Sequence, residues 1–484
     1  MRRARGVING LGGRRFSGLL ALLMVCAATL ATSGRAAAAT AQVTETAGST
    51  RLASLASVQF SAAPPTGLPI IDVDGTTTFQ TITGFGAALT DSSAWLIHDR
   101  LPPRRRARLL DDLFGTGGLD LQFLRLPMGA SDFTVHGRPY SYDDLPPGRR
   151  DPHLKHFSIR HDRAYIIPTV RGALSIDPDL EILATPWSPP PWMKANDAFD
   201  NAGGGGTLLR SAYRPLAEYF VRFIRAYAAA GIRISAITPQ NEPQGQSLFP
   251  GLDMPWRTEA MWIRRYLAPA VRRARLNTSI YAADVGWSSP GFQDALVRTR
   301  AARVLTGVTW HCYGPSPTVM DRLHTLAPAL EQVVSECAIQ ITHYTVPEMI
   351  IGSLLSGAST VALWNLALNP SGGPVEAPNS GCHGCRGLVT VNERTPTVSY
   401  GPSYYELGQF SRFISRGAVR IGATEVAGLD DVAVRNPDGS VALVVYNHSR
   451  ARSTFAVAWE GSYLSYALPP AATATFVWTP AARA

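Results

Sequence analysis

From about residue 79 the chain alternates short, nearly unbroken apolar runs with longer amphipathic stretches. The runs are 79–85, 121–127, 180–186, 234–239, 279–285, 307–311, 331–335 and 359–364. Unbroken apolarity, rather than strict alternation, predicts strands buried on both faces, as in a parallel sheet. Between them the period lengthens. Over 212–230, Tyr213, Leu216, Tyr219, Phe220, Phe223, Ile224 and Tyr227 recur at spacings of three and four, and Gly231 ends the run. That is one apolar stripe on a helix with its stop signal. Residues 257–275, 290–303 and 346–355 read the same way. Eight strands with intervening helices predict a (β/α)8 TIM barrel over 79–415. An open doubly wound sheet is the structural alternative, but no G-x-G-x-x-G follows the first strand.

After about residue 415 the pattern shortens to β-type runs at 431–435, 441–447, 454–459 and 473–478, separated by turns such as Asn436-Pro437-Asp438-Gly439. A small all-β unit is predicted over 416–484. Residues 51–78 also read as extended and are candidates to join it. Residues 40–50 read as a mobile linker. The first 39 residues have a basic front (Arg2, Arg3, Arg5, Arg14, Arg15), an apolar stretch from Leu19 to Leu30 and small residues at Ala36–Ala39. This is the pattern of a signal peptide, and it predicts a secreted bacterial protein. The apolar run is too short for a stable membrane span.

Charge changes the picture little. The formal +9 of the 484 residues includes six arginines in that leader and no acid there, so the remainder carries about +3. Such a balance gives no reason to expect a nucleic-acid partner. The composition, 45% hydrophobic and 17% charged, is that of a globular protein. Nothing in it sets the oligomeric state. Cys382 and Cys385 form a C-x-x-C in a glycine-rich loop. A metal site would need two more ligands at suitable spacing, whereas an exported chain favours a local disulfide. Cys312 and Cys337 read as buried thiols.

In a barrel the chemistry sits at the carboxyl ends of the strands. Those ends here are Arg125, the segment Thr185-Pro186-Trp187-Ser188-Pro189, Asn241-Glu242-Pro243, Asp284, His311-Cys312-Tyr313, Ser335-Glu336 and Trp364-Asn365. Carboxylate, amide, imidazole and indole groups together suit a sugar. A phosphate site would want a glycine-rich turn into a helix, and a zinc site clustered histidines; no metal or cofactor is expected. Glu242 and Glu336 end strands four and seven, which face each other across a barrel mouth. Two such carboxyls can flank one glycosidic bond, and at a separation of ~5–5.5 Å the reaction retains configuration. Arg125 points inward, needs a carboxylate partner and is expected to position a catalytic glutamate. Asp132 could cap a helix or bind substrate. Asp91 reads as an N-cap, and Trp192 as either core or site.

The segments Gly84-Phe85-Gly86-Ala87-Ala88-Leu89-Thr90-Asp91, Leu124-Arg125-Leu126-Pro127-Met128, Thr185-Pro186-Trp187-Ser188-Pro189-Pro190, Asn241-Glu242-Pro243, His311-Cys312-Tyr313, Ser335-Glu336-Cys337 and Trp364-Asn365-Leu366-Ala367-Leu368-Asn369-Pro370 resemble glycoside hydrolase family 30, which includes the glucosylceramidases. The resemblance implies a barrel with a β-sandwich built from both termini. It implies Glu242 as acid/base and Glu336 as nucleophile. Asn241 would hold the sugar 2-hydroxyl, and Asp132, Trp187 and Trp364 the non-reducing glucose. His311 and Tyr313 would shape the site around the nucleophile, and Asn365 joins them as a substrate-binding residue. The expected activity is release of glucose from β-glucosides such as glucosylceramide. The alternatives are a β-1,6-glucanase or other polysaccharide-active member and, from another class, a non-catalytic carbohydrate-binding protein. Phe249 stands near where glucosylceramidases carry Tyr, and the Cys382–Cys385 loop is unlike the animal enzymes.

Overall fold

The computed structural model describes residues 39–245, 247–377 and 381–480. The predicted signal peptide therefore lies outside the described residues, apart from Ala39. Eight parallel strands close a barrel: β1 (Gly84–Ala88), β2 (Phe123–Pro127), β3 (Glu181–Thr185), β4 (Ala236–Ile237), β5 (Ser279–Gly286), β6 (Gly307–His311), β7 (Glu331–Glu336) and β8 (Ala358–Leu363). They run in chain order, and β8 returns to β1 with Thr360 opposite Gly84. Every residue of β1, β2, β6 and β8 is buried, hence their unbroken apolar runs.

Strand alternation divides the core. Leu124, Ile182, Ile237, Ile280, Val308, Val334 and Val361 join the cluster shared with the helices. Their neighbours Phe123, Leu183, Ala236, Tyr281, Val333 and Ala362 form a second cluster, one residue from each of six strands. That second cluster is the apolar floor of the lumen. The helix of 212–230 spans Tyr213–Ala229, and Gly231 beyond it takes φ 77°. The stretch expected as one helix over 257–275 is Trp256–Trp262 and Ala268–Arg273 joined by a π-helical turn at Ile263–Leu267.

The second unit is the expected sandwich of both termini. Its nine-stranded hydrogen-bonded order includes Thr40–Ala47, Thr50–Gln59 and Ile70–Thr81 from the N-terminal side. The long strand Ile70–Thr81 pairs through Ile70–Asp72 with Ala456–Ala458 and farther along with Val419–Ala423. Two expectations are corrected. Residues 40–50 are not a linker: Thr40–Ala47 pairs with both Thr473–Trp478 and Thr50–Gln59, and Ala41 and Val43 enter the sandwich core. Their alternation with Thr and Gln was too weakly apolar to read as a strand. Residues 79–85 are not one barrel strand either. Phe79, Gln80 and Thr81 end the sandwich strand, and Phe79 stays exposed under the Arg420 guanidinium. The barrel begins at Gly84, whose φ of 151° lets the chain leave one sheet and enter the other.

Strands β1 and β2 approach so closely at Gly86 that an added Cβ would sit 1.8 Å from the Phe123 carbonyl oxygen. Gly86→Ala is expected to destabilise the barrel by about 3 kcal/mol or more. Urea unfolding checks it, and an unchanged midpoint would contradict the packing.

Candidate active site

The lumen changes character one layer above its floor. Arg125 lies two residues beyond Phe123 and so faces the same way. It is fully buried. One guanidinium nitrogen donates to Glu336 Oε2; the other donates to Asn241 Oδ1 and Asp284 Oδ2, each at 2.7 Å. Its plane also lies 4.6 Å from the Trp187 ring centre and 5.6 Å from that of Trp364, and the two indoles stack at 5.2 Å.

Two irregularities in the strands bring the acids to this point. In β5, Ala283 pairs with Thr309 but Val285 with Trp310, leaving Asp284 unpaired. In β7, Val334 pairs with Trp310 but Glu336 with His311, leaving Ser335 unpaired. Both bulges flank β6. Each re-aims a side chain that regular alternation would misdirect. Ala283 and Asp284 take φ 80° and 61°, and Glu242 takes φ 44°. Three non-glycine residues in the left-handed region concentrate backbone strain here. The surroundings hold them: the Glu242 N–H donates to the Asp284 carbonyl at 3.0 Å, and the Ala283 N–H to the buried Glu259 carboxylate at 2.8 Å.

His311 joins the carboxylates. Its Nδ1 is 3.0 Å from Glu242 Oε1 and 3.6 Å from Glu336 Oε1, and its Nε2 is 3.3 Å from Asp284 Oδ1. Burial opposes charging the ring, but the Glu336 and Asp284 charges outweigh it and push its pKa up to about 10. Burial likewise opposes ionisation of Asp284, and there Arg125 and His311 win, holding that carboxyl below its usual range. The Tyr313 hydroxyl donates to Glu336 Oε1 at 2.9 Å and accepts from the Ala338 N–H at 3.2 Å. Glu336 is nearly buried, whereas the Glu242 side chain is 37% exposed. One oxygen from each glutamate and one His311 nitrogen lie within 4.8 Å of one another. An imidazolium has no lone pair for a metal, so this trio suits charge pairing rather than ligation.

Most residues singled out in the sequence meet here: Arg125, Asn241, Glu242, His311, Tyr313 and Glu336 in one network, with Trp187 and Trp364 against Arg125. Asp132 is buried beside them. Burial and the Glu336 and Glu242 charges raise its carboxyl well above the usual range, and it does not cap a helix. Asn365 is fully buried, with both side-chain polar atoms closed off from solvent. Trp192 belongs to the core, its indole N–H bonded to Asp143. The N-cap is Thr90, not Asp91; the Asp91 carboxylate accepts from the Val135 N–H and the Tyr165 hydroxyl. Cys382 and Cys385 are disulfide-bonded. Cys312 and Cys337 are also a disulfide, not buried thiols, and it ties the ends of β6 and β7 directly behind His311 and Glu336. The signal was present: each cysteine follows a mouth residue on adjacent strands. Glu259 carried no sequence signal, and Ser335, named only as a strand end, is re-aimed by the β7 bulge to donate to Asp284 Oδ1 at 2.6 Å.

A barrel whose mouth sets two carboxyls face to face among indoles and amides is a glycoside hydrolase. Residues 82–414 match the glycosyl hydrolase family 30 TIM-barrel domain and residues 417–476 the family's β-sandwich domain. The chain belongs to glycosyl hydrolase family 30. An endo-1,6-β-D-glucanase of Aspergillus fumigatus is 33% identical over 89% of this chain and 91% of its own length. The lysosomal acid glucosylceramidase of Mus musculus is 30% identical over 77% and 76%. The solved structure of an endo-β1,6-glucanase superposes with a TM-score of 0.81 at 27% identity, covering 91% of this chain and 99% of that one.

The raised His311 pKa has a sign. Its contribution to stability is full below about pH 6.5 and is lost as pH rises through about 10. The stability advantage of wild type over His311→Gln should shrink across that window. Urea titrations at its two ends check it, and an advantage independent of pH would contradict the imidazolium. The Asp284 contribution runs the other way, present above about 3.8 and lost as pH falls.

Proposed function

We propose that this enzyme hydrolyses β-1,6-linked glucan with retention of configuration, Glu336 acting as nucleophile and Glu242 as acid/base. The observation that carries the reading is the pair of glutamate oxygens within 4.8 Å of each other. Inverting enzymes hold their carboxyls ~6.5–9.5 Å apart to admit a water, and retaining enzymes ~5–5.5 Å. Glu336, held by Arg125 and Tyr313, forms a bond to the anomeric carbon as the glycosidic C–O bond breaks. The proton on Glu242 passes to the departing oxygen. Glu242, now a base, takes a proton from water as that water displaces Glu336. His311 touches both carboxyls, so its positive charge faces whichever of them is ionised at each stage. Arg125 occupies Asn241 Oδ1, which leaves the Asn241 NH2 to donate to the sugar 2-hydroxyl. Asp132, Trp187 and Trp364 would surround the glycone.

The leaving group decides between the family's substrates. Beyond Glu242 lies a cavity of about 220 Å³ lined by Gln244, Gly245, Gly286, Ser288, Ser289 and Tyr313, among others. Glycine, serine and glutamine hydrogen-bond a second sugar well and a ceramide chain poorly. The relatives agree in direction: several at 33–34% identity are endo-1,6-β-D-glucanases, against 30% for the mouse glucosylceramidase. The ordering expected from sequence, with glucosylceramide first, is therefore reversed. We also propose export, supported by two disulfides, which persist in oxidising compartments.

Glu336→Ala should abolish turnover of every substrate. Glu242→Ala should keep appreciable rates on aryl β-glucosides with good leaving groups and lose at least ~10²-fold on the glucan. Full activity of the Glu336 variant would overturn the assignment. Proton NMR of the first product from a β-1,6-glucan should show the β-anomer before mutarotation. Release of glucose from glucosylceramide with no action on the glucan would restore the other substrate.

A further inference from the structure

The outer surface of the barrel between Trp256 and Arg303 is built unlike the rest of the chain. It holds nine arginines, Arg257, Arg264, Arg265, Arg272, Arg273, Arg275, Arg298, Arg300 and Arg303, and no lysine. All nine are exposed. The three acids of the stretch, Glu259, Asp284 and Asp294, are all buried. Among the described residues none of the nine forms an ion pair, while Asp294 is taken by Arg322 from outside the stretch. An unneutralised surface of one sign raises the local concentration of opposite charge.

The arginines are also organised. Two grooves flank the helical rod that carries Arg264 and Arg265. One, of about 310 Å³, is lined by Arg257, Arg264 and Arg300 with Trp256 and Met261. The other, of about 400 Å³, is lined by Arg214, Arg265 and Arg273 with Tyr266, Pro215 and Glu218, whose carboxylate lies 3.6 Å from Arg222. Each groove thus pairs three guanidinium groups with one aromatic ring, and Arg257 lies 4.3 Å from the Trp256 ring centre. Guanidinium forks match carboxylate, sulfate and phosphodiester oxygens. Aromatic rings stack on the apolar faces of sugars. A ring beside the guanidinium groups favours a sugar polymer over a duplex, whose outer phosphates offer the ring no face to stack on.

We propose that this face is a second, non-catalytic carbohydrate-binding surface that takes a single strand of anionic polysaccharide, its acidic groups on the arginines and its rings on Trp256 and Tyr266. It lies on the helices that follow β4 and β5, outside the barrel lumen. Its role would be to hold the enzyme on an acidic matrix while the mouth works on neutral glucan.

Affinity electrophoresis of the full-length protein in gels containing polygalacturonate tests this, with neutral β-1,6-glucan, duplex DNA and anionic phospholipid vesicles as parallel probes. Wild type should be retarded by polygalacturonate, and the affinity should fall at least ~10-fold between about 50 and 300 mM salt. The variant Arg257→Gln/Arg264→Gln/Arg300→Gln should lose at least ~10-fold in affinity, and so should Trp256→Ala. Melting temperatures within a few degrees of wild type would show that the variants fold. Three results would overturn the proposal: no retardation of wild type, retardation that survives the triple substitution, or binding to DNA or vesicles without polygalacturonate.

Discussion

A single buried cation organises this protein. Arg125 sits with no solvent contact inside the barrel, where an unpaired charge could not be tolerated. It is matched by Asp284 and Glu336 and by the Asn241 amide oxygen. Removing one member of such a pair costs about 3–5 kcal/mol, because the other is left charged and dry. The two bulges, the left-handed backbone at Glu242 and Asp284, and the stacking of Trp187 on Trp364 all serve the same constellation. Strain in the strands is held because the charges they deliver have nowhere else to go.

The same arrangement places two chemically identical side chains in different surroundings. Glu336 is enclosed by Arg125, Tyr313 and His311. Glu242 touches only His311 among these and stands a third exposed beside the polar cavity. One carboxyl is thus held on three sides, and the other opens toward what lies outside. Environment, not residue type, separates the two carboxyls, and the roles proposed for them rest on that difference. The Cys312–Cys337 bridge holds the ends of the two strands that carry His311 and Glu336. In the chain-entropy account a loop of that length is worth about 3 kcal/mol.

Substrate choice lies farther out. The relatives of this chain include endo-1,6-β-D-glucanases and a glucosylceramidase. The polar wall beyond Glu242 is where a choice between such substrates would be made, and the arginine-lined face lies outside the lumen that holds both glutamates.

Much was legible in the chain. Unbroken apolar runs located seven of the eight barrel strands to within a few residues, because burial on both faces leaves no polar positions. The periodicity of 212–230 placed its helix. Glu242 and Glu336 are legible as a pair, three strands apart at a barrel mouth, where two carboxyls can flank one bond. The misses have one character. Thr40–Ala47 gains its place only by pairing with Thr473–Trp478, at the other end of the chain. Asp284 and Ser335 stand at legible strand ends, but how they are aimed is set by bulges, which arise from how β5 and β7 register against β6 and leave no mark on local pattern; Glu259, on a helix, meets the Ala283 N–H only at the bulged strand. The Cys312–Cys337 bond needed the same registration. Sequence alone thus determined which residues could do chemistry and on which strand ends they fall, since hydrophobic period and residue type are local. Tertiary structure alone decided which charges meet, at what distance and how far from water, since register, burial and pairing are properties of the closed barrel.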